Sequence, residues 1–398
     1  MSKRTIGTTA RGIRFPVIKP GDDLVKITVE KVIAASRSEG FALRDRDIIG
    51  ITESLVARAE NNFASVDEIA LEIKEKFPLG EIGVIFPILS RNRFSLLLKG
   101  IARGVNKVYL MLSYPRDEVG NALFSEEELE SKKVNPYTDL LTLKQYRKLF
   151  GTSIHPFTGL DYISYYEELI RKEGAEVTIL FANQPTRILA YTPHVLACDI
   201  HTRHHTKNTL GKAGAKTVYG LDDLLKRPRI NKGFNPKYGL LGSNKATEET
   251  VKLFPRDGEK LVLDLQKEFL KQTGKHIEVL VYGDGAFKDP VGQIWELADP
   301  VVAPFFTPGL QGTPHEVKLK YLADNQFSSL KGEKLTTAIK KAIEEKKEDR
   351  HDNQASLGTT PRQISDLVGT LCDLISGSGD KGTPVVLIQG YFDDFTTE

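Results

Sequence analysis

The stretch EVLVYGDGAFKDPVGQ, Glu278–Gln293, decides the reading of the fold. Val279, Leu280, Val281 and Tyr282 form an apolar run of strand length, and Gly283 and Gly285 then flank Asp284. Short apolar runs closed by turn residues are strand signals. In open α/β sheets, ligands sit beyond the carboxyl ends of strands, which is where Asp284 falls. The two glycines would let a phosphate or a metal approach the backbone closely. Asp284, Asp289 and the amide of Gln293 carry the oxygen atoms that hard cations such as magnesium take. A glycine-rich turn with solvated aspartates fits the same spacing, because Gly-Asp-Gly is common in turns.

Working outward, helices and strands alternate, which argues an α/β class. KPGDDLVKITVEKVIAAS puts Asp22 and Asp23 at a helix start, where negative charge is favoured. DIIGITESLVARAEN reads as a buried strand, Ile48–Thr52, running into a polar turn. SVDEIALEIKEKF reads as an amphipathic helix capped by Ser65. The middle of the chain holds four strand candidates, IGVIFPI, KVYLML, EVTILF and HVLACDI, with helical patterns such as YISYYEELIRKEG between them. It reads as an added α/β unit that ends near residue 230, in the proline-bearing LKRPRINKGFNPK. GEKLVLDLQKEFLKQTGKH is a helix with Val262, Leu265 and Phe269 on one side and Gly274 at its end. KLTTAIKKAIEEKKEDRHDN reads as a charge-rich surface helix. TTPRQISDLVGTLCDLI reads as a helix capped at Thr360 with Pro361 in its first turn, and VVLIQGY closes the chain as a strand.

The bounds agree with a globular protein. The 398 residues suggest two or three domains, and 40% hydrophobic with 27% charged residues is ordinary globular composition. Fifty-five basic against 53 acidic residues leave a net charge of +2, no electrostatic reason to expect nucleic acid or an anionic membrane. Cys198 and Cys372 make no disulfide framework. No secretory leader and no membrane-spanning run is visible, so a cytoplasmic protein is expected.

Three further motifs bear on chemistry. GSNKATEE offers Ser243, Asn244 and Lys245 ahead of an expected helix start, a place for phosphate, though helix capping by Asn244 or Thr247 explains the same residues. DIHTRHHTKN holds His201, His204 and His205, spaced for zinc on a helix face but with no catalytic glutamate beside them. SIHPFTGLDY, with His155, Thr158 and Asp161, lines a pocket or caps a helix.

Four of these stretches carry a resemblance. RGIRFPVIKPGDDL resembles the N-terminal signature of the coenzyme F-420 gamma-glutamyl ligase family. ITESLVARAEN falls where that family has a strand and a Lys-Ala-Glu. YGLLGSNKATEETVKLFPRDGEKLVLDL is similar to its Gly-Ile-Asp-x-Ser-Asn segment and following helix. YGDGAFKDPVGQ stands at its post-strand aspartate and later glutamine. Order and position agree over residues 11–80 and 230–300.

The resemblance implies a mixed α/β and α+β fold: a ligase-like core with an inserted α/β subdomain. The implied division is 1–112 for the first part of the core, 113–230 for the insert, and 231–398 for the rest with a helix–strand extension. It implies GTP-dependent amide formation, with a small-molecule carboxylate as acceptor (the deazaflavin coenzyme, a folate or another) and L-glutamate as amine. It implies magnesium or manganese as metal, and a homodimer. Asp284 and Asn244 would be catalytic. Ser243, Asn244, Lys245, Glu60 and Gln293 would bind nucleotide, and Asp284, Asp289 and Gln293 would bind metal. Departures are visible: Leu241 stands where the family has an aspartate, Gly285 where it has threonine, and Arg58 where it has lysine. A non-catalytic nucleotide- or metabolite-binding protein on the same fold is the alternative, favoured by Leu241. A zinc hydrolase would rest on the three histidines alone.

Overall fold

The apolar run at Glu278–Tyr282 is a strand buried at every residue, and the computed structural model sets it inside a five-stranded sheet. The structure describes residues 5–155, 158–230, 233–283, 302–314, 317–345, 362–394 and 396, with the backbone of 287–288 and 295–296. The strands in chain order are β1 (Thr9–Ile13), β2 (Ile48–Thr52), β3 (Phe63–Ser65), β4 (Glu81–Ile85), β5 (Lys107–Leu112), β6 (Leu141–Thr142), β7 (Glu176–Phe181), β8 (His194–Ala197), β9 (Thr217–Gly220), β10 (Asn244–Lys245), β11 (Thr250–Lys252), β12 (Glu278–Tyr282), β13 (Phe287–Lys288), β14 (Trp295–Glu296), β15 (Phe305–Phe306) and β16 (Val385–Gln389).

The first sheet runs β1-β16-β2-β12-β15, with only β2 and β12 parallel. Its central strands are covered on both faces, which is why they read as unbroken apolar runs. Ile49, Ile51, Val279, Val281, Val385 and Leu387 share a core with the helices Leu24–Ser38 and Gly258–Thr273. The alternate residues Ile48, Leu280, Tyr282, Val386 and Ile388 pack with the helix Ile364–Ser376. Gly50 is required by that second contact, because a Cβ there would lie 2.4 Å from Cys372 Sγ.

Local signals act as read. The Asp23 carboxylate accepts the Lys26 N–H at 3.0 Å. Ser65 and Glu68 form a capping box on the helix Val66–Lys76. Val262, Leu265 and Phe269 are wholly buried, and Gly274 ends their helix at φ +68°. The final helix begins later than expected, at Ile364 behind Gln363, and Thr360 and Pro361 lie outside the described residues.

The second sheet runs β6-β7-β5-β4-β8-β9 and is parallel except for β6. The helices Val66–Lys76, Phe94–Arg103 and Tyr162–Lys172 fill one side of it, and Ile188 and Leu210 lie in the core of the other. The division expected at 112/113 runs through this sheet, because β4 and β5 pair directly with β7 and β8. A small antiparallel sheet, β10-β11-β3, ties the layers together. Its Ala64 and Val251, with Leu241 and Leu253, belong to the parallel sheet's own apolar cluster. Among the described residues, no helix is long and apolar enough to cross a membrane.

Candidate functional site

Three segments far apart in the sequence meet around one open pocket of about 450 Å³, lined by Pro20, Arg58, Asn61, Phe63, Ala64, Ala246, Thr247 and Thr250. Each wall has a local cause. The turn at Pro20 is held by the Asp22 carboxylate, which accepts the Lys19 N–H at 2.7 Å, and by the Gly21 N–H donating to the Ala59 carbonyl at 2.9 Å. Arg58 is exposed and donates Nε–H to the Ile18 carbonyl at 2.5 Å, locking that turn onto the helix Glu53–Ala59. Its two Nη groups have no partner among the described residues and are available to an anion. Asn61 turns the chain at φ +52°, a left-handed geometry that asparagine tolerates better than most residues. The opposite wall is the loop of the β10–β11 hairpin, where the Ala246 N–H donates to the Thr250 carbonyl at 3.0 Å and the hydroxyls of Thr247 and Thr250 lie 2.6 Å apart.

Beside this pocket, residues 60–62 are clamped to residues 254–257. The Glu60 carboxylate accepts the N–H groups of Arg256 and Asp257, each at 3.0 Å. Burial pushes its carboxyl group above the usual range, against the pull of those two donors. Asn62 donates to the Phe254 carbonyl at 2.8 Å and accepts from Arg256 at 2.6 Å. Glu60 therefore spends its oxygens on the loop that starts the helix Gly258–Thr273.

Ser243, Asn244 and Lys245 do not precede a helix. They enter the hairpin, with Asn244 opposite Lys252, and the Lys245 N–H donates to the Asn92 carbonyl at 2.8 Å. Pairing of β11 with β3 overrides the helix-cap signals of that segment. Lys245 pairs with Glu248. Ser243 is buried and faces a second, much smaller cavity instead. Leu241 is 1% exposed inside the apolar core, so that position offers no ligand atom. Asp284, Asp289 and Gln293 lie outside the described residues. The strand leading to Asp284 is described: Tyr282 pairs in parallel with Thr52, directly before the helix that delivers Arg58.

Among the described residues, the three histidines gather no further metal-binding side chains. His201 precedes the helix Arg203–Lys212, His204 and His205 are adjacent on it, and all three are exposed. No group of three His, Cys, Asp or Glu side chains suited to a metal forms among the described residues. The capping reading of SIHPFTGLDY holds, since the Asp161 carboxylate accepts the Ile163 N–H at 3.1 Å. Pro20, Asn61 and Thr250 were not legible as pocket residues. The signals they carry, Pro-Gly, a turn asparagine and a hairpin threonine, are common to any turn.

The family model described as F420-0:gamma-glutamyl ligase matches residues 12–390, including the whole parallel sheet. No curated protein matches the chain. A match over nearly the full length places the chain among amide-bond-forming ligases. The chain belongs to the F420-0:gamma-glutamyl ligase family.

Proposed function

We propose that the protein joins L-glutamate to a carboxylate of a small-molecule acceptor, using GTP, at the pocket between Arg58 and the β10–β11 hairpin. The observation that carries this reading is the convergence there of three of the four stretches that resemble the family: Pro20, Arg58 with Asn61, and Thr247 with Thr250. The pocket has the size of a small-molecule site. Arg58 supplies a fixed positive charge, and the two threonine hydroxyls supply donors for phosphate oxygens.

In the proposed reaction the acceptor carboxylate takes the γ-phosphoryl group, giving an acyl phosphate and GDP. The glutamate amine then attacks the acyl carbon, the amide forms, and phosphate leaves while the amine gives up a proton. Arg58 would orient the phosphoryl group, and Glu60 acts as a positioning residue through residues 256–257. Magnesium or manganese, when bound, would neutralise phosphate charge beside Asp284, with Asp289 and Gln293 as further oxygen donors. The described residues do not complete that set, and Leu241 removes one family ligand, so no step here is routed through the metal. Leu241 also favours the second reading, a nucleotide- or metabolite-binding protein without turnover. A homodimer, implied by the resemblance, belongs to the proposal too.

Phosphate release from GTP or ATP is the test, with magnesium or manganese, L-glutamate and pooled metabolites, in wild type and Asp284→Ala. Metabolite-dependent release lost in the variant supports the ligase. Tight nucleotide binding without turnover moves the reading to the binding protein.

A further inference from the structure

We propose that the first sheet carries a second ligand site at the end opposite Asp284, a pocket of about 760 Å³ that takes a small organic anion: an apolar body bearing a carboxylate or a phosphate. Topology separates it from the ligase pocket. Arg46 lies two residues before β2. Residues 391–394 follow β16, which runs antiparallel to β2, and residues 309–314 follow β15, which runs antiparallel to β12. All three segments therefore meet the sheet at the end marked by Ile48 and Glu278, and all three line the pocket. Asp284 follows Tyr282 at the other end, and five residues of strand put about 16 Å between the two.

The pocket has the size of a small-molecule site. Ile343, Ile364 and Leu367, from the helices Gly332–Glu344 and Ile364–Ser376, supply apolar lining, with Leu319 and Tyr391. Arg46 supplies the chemistry. Its backbone is left-handed at φ +64°, a conformation that costs a residue with a side chain. Its N–H donates to the His276 carbonyl at 2.7 Å, and its guanidinium carbon lies 3.9 Å from the centre of the Phe392 ring. The residue is thus held at its backbone and at its head, yet its guanidinium has no hydrogen-bond or ion-pair partner among the described residues. Lys318 is half-buried on the same pocket, and its ammonium likewise has no such partner among the described residues. Two cations with unspent donors beside apolar lining suit a carboxylate or a phosphate on an apolar body.

Two carboxylates line the pocket as well. Asp394 Oδ1 accepts the Thr396 N–H at 2.9 Å and its hydroxyl at 2.6 Å. Asp393 Oδ2 lies over Gly390, 2.6 Å from where a Cβ would stand there. Their charge keeps the pocket from being uniformly positive, so an inorganic ion gains little in it. An organic anion adds the burial of its apolar body, which does not depend on net charge.

Calorimetric titration of the full chain with 2-naphthoate, 1-naphthyl phosphate, neutral 2-naphthol and inorganic phosphate tests the site. One of the two naphthyl anions should bind about ten-fold or more tightly than 2-naphthol and inorganic phosphate, and the tighter of the two identifies the anionic group. Arg46→Gly suits the left-handed backbone and removes the side chain, and it should weaken that binding about ten-fold. Lys318→Ala should weaken it about three-fold, and Arg58→Ala should leave it unchanged. Four results would overturn the proposal: no binding of either naphthyl anion, 2-naphthol binding as tightly as both, binding undiminished in Arg46→Gly, or binding lost in Arg58→Ala, which would assign it to the ligase pocket. The site stands apart from the ligase reading, whose own failure appears as absent turnover in wild type.

Discussion

Glu118 should cost the folded protein stability as pH rises through neutral. Its carboxylate is half-buried, beside Asp117 and Asp199, and accepts the main-chain N–H groups of Ile200 and His201. Desolvation outweighs those donors, and its pKa is pushed from 4.5 up to about 7. Between those two values the folded protein holds a proton that the unfolded chain has released. The associated stability is thus fully present below pH 4.5 and is lost as pH rises through about 7. One pKa unit is about 1.36 kcal/mol, so the bound is about 3.4 kcal/mol. Partial exposure of the side chain brings this down to about 2 kcal/mol. Glu118→Gln keeps an oxygen for the same N–H groups and removes the titration. Urea denaturation at pH 5, 6, 7 and 8 should show the variant gaining about 2 kcal/mol on wild type across that range. Other titrating groups contribute to both proteins and largely cancel in the difference. A difference that is flat with pH, or that moves the other way, would mean that Glu118 carries no raised pKa in the folded protein.

Further outcomes follow from single contacts. Gly50→Ala should destabilise by about 1–3 kcal/mol, since its methyl group would meet Cys372 Sγ at 2.4 Å. Cys372→Ala should recover part of that loss in a double-mutant cycle read by thermal denaturation. Ser65→Ala should cost about 1 kcal/mol through loss of the capping box on the helix Val66–Lys76, measured in the same way. Arg58→Ala should weaken nucleotide binding about ten-fold or more in a fluorescence titration, and Arg58→Lys should restore it only in part, because a lysine lacks the planar fork.

Much of the first sheet was legible because its signals are local. Val279–Tyr282 and Ile48–Thr52 are apolar runs of strand length, Ser65 with Glu68 marks a helix start by side-chain hydrogen bonds, and Gly274 marks a helix end by its left-handed backbone. Strand partners were not legible. β1 and β16 come from opposite ends of the chain, and no short pattern in either names the other. The same limit explains the division drawn at 112/113: β5 reads as a strand, but its pairing with β7 is a long-range fact. GSNKATEE has the composition of a helix cap and of a hairpin turn alike, and β3 decides between them. For the site, the stretches holding Arg58, Glu60 and Ser243 were visible through resemblance, whereas the pocket's actual walls depended on how three loops fold together. Ser243 is the instructive residue, since its place in the sequence suggested phosphate beside Lys245 while the fold turns it toward the parallel sheet.

The product proposed for the Arg58 pocket is a glutamyl amide. The most direct measurement is mass spectrometry of the products made from isotopically labelled L-glutamate, GTP, magnesium or manganese and pooled metabolites. The expected product is an acceptor heavier by one labelled glutamyl residue, formed by wild type and absent with Arg58→Ala and with Asp284→Ala. Labelled product undiminished in Arg58→Ala, or none from wild type while GTP is still bound, would contradict it.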